Sequence, residues 1–234
     1  MDCRLYQKGL MLFVLSVAVT QQYAVQAQSN QEWRDSLNVL NQQIAQSPYS
    51  ADMHMRKAAI NLELQQWEFA VDEYKTVLQH DENNLTALFY RAYAYTHLRR
   101  YDLAKNDYND ILFNEPTHME ARIGLSYVYQ LMGKRNDALD LLNIVVEQYP
   151  DSVAGYVARA SLETEMKQYE SALYDWEKAI KLIPDNTDYQ LSYVEVLIRM
   201  GRNDAARREL DKLANRGVSQ GLLREYYKKI KRKK

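Results

Sequence analysis

The 234-residue sequence predicts an all-α fold, a solenoid of stacked helix pairs. Three observations carry this expectation. Glycine and proline are scarce, seven and four residues, which favours long helices over a turn-rich β fold. Five alanines, Ala70, Ala104, Ala138, Ala172 and Ala206, recur every 34 residues. All four prolines keep the same clock: Pro48, Pro116, Pro150 and Pro184 lie 68, 34 and 34 residues apart, with Glu82 in the vacant slot. A period of this length marks a unit of two helices joined by a short turn. The small residue lets the helix backbones approach, and the proline, lacking an N–H, ends the second helix.

The first element, residues 1–27, is set apart by composition. Arg4 and Lys8 precede an apolar run of ten residues, Leu10 to Val19, and a polar stretch ends at Val25-Gln26-Ala27. This order reads as a secretory signal peptide cleaved after Ala27. The protein is therefore expected to be exported, to a periplasm in the first instance. Secretion, or attachment through an uncleaved leader, is the alternative, although ten apolar residues fall short of a bilayer span. Cys3 is the only cysteine and precedes the apolar run, so it is no lipid anchor. The mature chain would lack disulfides, thiol chemistry and Cys-based zinc sites.

The repeats follow. "WEFAVDEY", "YDLAKNDY", "RNDALDLL", "YESALYDW" and "NDAARREL" align on the five alanines. With their bulky, small and aromatic positions, these units resemble the tetratricopeptide repeat (TPR) family. Five repeats are expected: 51–84, 85–118, 119–152, 153–186 and 187–216. Residues 28–50 carry Trp33, Ser36, Leu40, Ile44 and Pro48 in the register of a second helix. They predict a single helix over 31–46 that covers the first repeat. Several residues depart from the family pattern: Lys57 and Arg91 at position 7, Asn61 and Glu163 at 11, Arg135 and Asn203 at 17. Each is expected to loosen packing locally. Residues 217–234 predict a C-terminal capping helix, with Leu222, Leu223, Tyr226, Tyr227 and Ile230 at helical spacing. Both ends of a solenoid need such covers.

The capping helix runs into a basic tail. Residues 221–234 hold seven basic groups and one acidic, net +6. The whole chain carries −1 and residues 1–27 carry +1, which leaves −8 for residues 28–220. Lys228, Lys229, Lys231, Arg232, Lys233 and Lys234 are candidate contacts to anionic lipid or glycan. The competing reading is a solvated helix end whose cations complement the helix dipole. An exported chain makes nucleic acid an unsuitable ligand.

The resemblance implies a right-handed superhelix whose first helices line a concave groove. On this sequence the groove positions include Met55, Glu63, Phe89, Tyr90, Tyr93, His97, Ile123, Tyr127 and Leu131. Rigid aromatics of this kind anchor protein segments, or else fill gaps between neighbouring first helices. The basic and amide residues with which chaperone-binding members clamp a carboxylate tail are absent from any three successive units.

Nothing in the sequence assembles into a catalytic set. His54, His80, His97 and His118 are never three or four residues apart on one helix, so no metal site is suggested. No phosphate-binding glycine loop or nucleophile elbow occurs. No cofactor, metal or enzymatic activity is expected. The expected function is an exported scaffold or adaptor that holds a protein or peptide segment, within a cell-envelope assembly. The alternative is a tethering factor whose basic tail docks on an anionic membrane or glycan.

Overall fold

The computed structural model describes residues 30–232; the leader expected over residues 1–27 lies outside them. Among the described residues there are twelve helices and no strand. A single helix, α1 (Asn30–Gln46), comes first. Five pairs follow: α2 (Ala51–Glu63) with α3 (Trp67–His80), α4 (Leu85–His97) with α5 (Tyr101–Asn114), and α6 (Met119–Leu131) with α7 (Arg135–Gln148). Then come α8 (Val153–Glu165) with α9 (Tyr169–Leu182) and α10 (Thr187–Arg199) with α11 (Asn203–Asn215). The last helix is α12 (Gln220–Arg232).

Local chemistry explains the helix ends. The residue before each first helix caps it: Ser50, Asn84, His118, Ser152 and Asn186 accept from the N–H three residues on. Such caps contribute about 1 kcal/mol each by satisfying an orphan N–H. Asn84, the first residue of an Asn-Leu-Thr triplet, is occupied in this way. Each first helix closes with a six-residue backbone bond, from Gln66, Arg100, Lys134, Gln168 and Arg202 to Asn61, Tyr95, Tyr129, Glu163 and Leu197. The residue just before each of these donors takes positive φ: Gln65, Arg99, Gly133, Lys167 and Gly201. This is the left-handed helix terminus.

The chain divides into two compact units, with the boundary inside α7 between Leu141 and Leu142. In the unit over residues 30–141, Ala58, Ala70, Ala92 and Ala104 are fully buried, with Tyr74, Tyr108 and Ile111 beside them. In the unit over residues 142–232, Ala160, Ala172 and Ala206 take the same place, around Trp176, Leu210 and Leu213. The small residues bring helix backbones together and the large ones fill the space between layers. Tyr95 is buried as a packing residue, whereas Tyr101 is half-buried against the same core.

Two of the position-7 departures do not loosen the fold as expected. Lys57 Nζ lies 2.7 Å from Glu73, and Arg91 grips Asp107 through two bonds of 2.8 and 2.7 Å. Each cation meets a carboxylate on the second helix of its own repeat. Arg159 repeats the device on Asp175 at 2.6 and 2.8 Å. The position-11 departures do leave a cost: Asn61 Nδ2 and Glu163 Oε2 are buried without a hydrogen-bond partner.

Candidate functional site

The expected groove residues belong to α2, α4 and α6, all within the unit over residues 30–141. The structure divides them. Phe89 and Ile123 are buried, at 5% and 1% exposure, and are corrected here from groove-lining to packing residues. Phe89 meets Tyr108 edge-on at 5.7 Å and stacks at 6.0 Å on His118. The reason is rotational. Both are fifth residues of their helices, and Val157 and Leu191, fifth in α8 and α10, are buried too. That direction points into the layer between helices. The sixth and ninth residues lie farther round: Tyr90, Tyr93 and Tyr127 are half-buried. Met55 and Leu131 are half-buried and His97 is exposed.

The rings on and beside α4 form one cluster. His97 stacks face to face on Trp67, with centroids 3.9 Å apart and planes 4° from parallel. Tyr93 stands edge-on to His97 at 4.7 Å and to Trp67 at 5.9 Å. Tyr90 lies parallel to Tyr74 at 6.2 Å and meets Phe89 at 90°. Stacked and edge-on pairs at these distances satisfy the ring quadrupoles, so the half-buried rings are held rigidly.

Glycine at position 124 supports the neighbouring layer. A Cβ there would come within 2.5–2.8 Å of the Tyr108 ring. Only a bare backbone lets that buried ring seat against α6.

The electrostatics keep the cluster neutral. Burial, then the nearby Glu63 carboxylate and Tyr127, push the Tyr93 phenol up to about 12. Burial and Glu63 also raise Tyr90. The face of His97 covered by Trp67 loses water, and this desolvation makes the imidazole less basic than usual. Glu63 itself is exposed, at the C-terminal end of α2.

Sequence reasoning missed Trp67 as a member of this group. The signal was faint, because Trp67 and His97 occupy different repeat positions 30 residues apart. The Arg159–Asp175 pair was also missed, though the spacing of Arg91 and Asp107, 16 residues, recurs in it.

At the C-terminus, two of the six candidate tail contacts have partners within the chain. Lys229 Nζ lies 2.5 Å from Glu195 on α10 and 4.9 Å over the Tyr226 ring. Lys228 pairs with Glu225 at 2.7 Å. Lys229, a candidate surface contact, thereby also links α12 to α10. The side chains of Lys231, Arg232, Lys233 and Lys234 lie outside the described residues.

No described helix is long and apolar enough to cross a membrane. Among the described residues no group of three or more His, Cys, Asp or Glu side chains is placed to hold a metal ion.

Comparisons with known proteins agree with this architecture. Two tetratricopeptide repeat family models match residues 120–152 and 163–224. A DnaJ homolog subfamily C member 7 homolog of Dictyostelium discoideum is 23% identical over 213 residues. That match takes in 70% of this chain and 40% of the relative, so the chain spans well under half of the relative's length. Among solved structures, Pseudomonas aeruginosa PilF superposes with a TM-score of 0.67 at 16% identity, covering 98% of this chain and 99% of PilF. YrrB, described as a TPR protein with an unusual peptide-binding site, gives 0.59 at 17% identity, covering 81% of this chain and 97% of YrrB. TPR proteins serve generally as non-catalytic protein-interaction scaffolds. Residues 120–152 and 163–224 thus match tetratricopeptide repeat sequence models, and the helix pairs share the fold of solved tetratricopeptide repeat structures.

Proposed function

We propose that this protein is an exported adaptor that holds an extended or helical protein segment along α2, α4 and α6. The observation that carries the reading is the half-buried aromatic surface of Tyr90, Tyr93 and Tyr127, continued by His97 on Trp67. Tyr90, Tyr93 and His97 are held by neighbouring rings before any ligand arrives, so binding would cost little side-chain ordering. A groove that accepts a segment by apolar and aromatic contact is a recurring recognition mode. Export, and a place in a cell-envelope assembly, rest on the leader pattern of residues 1–27. The peptide-binding site ascribed to YrrB lends the groove reading a parallel from a protein of similar fold.

A photo-crosslinking residue placed at exposed His97 tests the site in the native host. The same residue at exposed Asn109 on α5 is the control. A partner should crosslink from position 97 and not from 109. It should be lost in a folded Tyr90→Ala, Tyr93→Ala double variant. An unchanged crosslink in that variant refutes the groove. Mass spectrometry of the same preparation should find Gln28 at the N-terminus in an envelope fraction; an intact leader in the cytoplasm refutes export.

A further inference from the structure

We propose that His54 is a proton-operated latch. Its imidazolium ties the turn after α1 to α2 and α3, and loss of the proton releases α1 from the array. The latch does not depend on the groove.

Both ring nitrogens of His54 face oxygen acceptors. Nδ1 lies 2.5 Å from Glu73 Oε2 on α3, and Nε2 lies 3.0 Å from the Pro48 carbonyl oxygen in the turn after α1. A neutral imidazole has one N–H and one lone pair, so it can donate to only one of them. The other oxygen would then meet a lone pair, at a site where His54 is 7% exposed and shielded from water. With both nitrogens protonated both bonds form, and the one to Glu73 is charge-assisted. Lys57 Nζ lies 2.7 Å from the second Glu73 oxygen, so the carboxylate has a cation at each oxygen.

The same slot in other repeats shows what is particular to His54. In the third and fifth repeats the fourth residue of the first helix also donates to a proline carbonyl six residues back. There the donors are Arg122, to Pro116, and Gln190 Nε2, to Pro184 at 2.6 Å. A guanidinium stays charged and an amide does not titrate. Of the three donors, only the imidazole changes its donor count between about pH 5 and 8.

Helix α1 is the element such a tie can control. It packs on α2, and among its described side chains only Leu40 is buried. By contrast α3 buries Ala70, Val71, Tyr74, Val77 and Leu78. The charged groups at the His54 ring are Lys57 from α2 and Glu73 from α3. On α2, Asp52 and Arg56 are exposed and lie 3.9 Å from each other. Residues 47–50 carry no charge, and Tyr49 meets the His80 ring edge-on at 5.6 Å. Within α1 no ionisable residue follows Asp35. The closed latch holds a proton that the open one gives up as pH rises, so closure weakens towards alkaline pH.

Amide exchange on the full chain tests the latch, read as protection factors so that the intrinsic pH dependence cancels. From pH 5 to pH 8, protection in α1 and the 47–50 turn should fall roughly tenfold, the loss of one charge-assisted hydrogen bond. His54→Gln keeps the donor that Gln190 uses on Pro184 and has no proton to lose. Its α1 protection should be the same at both pH values. No fall in the parent overturns the latch, as does a fall that His54→Gln reproduces. A second reading needs no variant. Nitrogen NMR spectra of the parent should show protons on both ring nitrogens of His54 at pH 5 and on one at pH 8. A ring that carries one proton at both pH values, or two at both, refutes the proposal. If His54→Gln does not fold, this spectrum is the deciding measurement.

Discussion

Glu163 lies buried in α8 with its Oε2 atom lacking a hydrogen-bond partner. Burial, and then the Asp175 carboxylate, push its acid up to about 7, against the opposing pull of Arg159. The unfolded value is the ordinary 4.5. Between those two values the native chain binds more protons than the unfolded one, so stability falls as pH rises. The contribution is present below about 4.5 and is lost as pH climbs through about 7. Glu163→Gln removes the charge while keeping the shape. Thermal melts should therefore show the variant more stable than the parent at pH 8 and indistinguishable from it at pH 5. Equal melting at both values would show that Glu163 is solvated. The sequence marked Glu163 as a departure from the repeat pattern, but not its burial. Phe89 and Tyr90 show the same limit. They are neighbours of one chemical kind, and a rotation of about 100° along the helix decides which packs and which faces outward.

Pairs of helices are joined by apolar layers and by a polar rivet that three repeats share. In the first, second and fourth repeats a cation on the first helix meets a carboxylate 16 residues later: Lys57–Glu73, Arg91–Asp107 and Arg159–Asp175. The third repeat carries Leu125 and Leu141 at those positions, both in the apolar cluster of its unit. The chain thus contains both solutions to one packing problem. Buried ion pairs add little over a well-packed apolar pair, but breaking one leaves a buried charge uncompensated. Arg91→Leu or Asp107→Leu alone should each cost about 3 kcal/mol in urea unfolding, and the double variant should recover nearly all of it. Additive losses would show that the two side chains act independently rather than as a pair. The pairing was hidden in the sequence, where Lys57 and Arg91 looked like defects, because the compensating acids lie on a different helix. The helix pairs themselves were legible, since the five alanines and four prolines keep one 34-residue clock. The turns were legible only where Gly133 and Gly201 mark the left-handed residue; Gln65, Arg99 and Lys167 do the same work without a glycine to announce it.

At the scale of the whole molecule, the C-terminal residues combine one more helix of the array with a cluster of charge. Within the unit over residues 142–232, α12 behaves as one more first helix. Tyr227 donates to Asp211 sixteen residues back at 2.5 Å, as Tyr193 donates to Glu177 at 2.8 Å. Leu223 and Ile230 are buried beneath it. Lys229 adds the link to Glu195 across the helix interface. Burial would raise the Glu195 acid, but Lys229 and Arg199 bring it below its ordinary value, so the carboxylate is stabilised as the anion. That stabilisation holds above the unfolded carboxylate pKa and is lost as pH falls through the lowered folded value. The two neighbouring lysines then separate structure from surface charge. Lys229→Met should cost about 1 kcal/mol of stability and speed amide exchange in α12, because it breaks a half-buried charged hydrogen bond. Lys228→Met, which removes only an exposed pair within one helix, should change neither measurement. Binding to vesicles with anionic headgroups gives the opposing forecast. A tail acting by summed charge would lose about the same affinity, ~1 kcal/mol, from either substitution. Unequal stability with little vesicle binding assigns Lys229 to the end of the fold. Equal losses of vesicle binding, with no change in amide exchange, would return it to the surface.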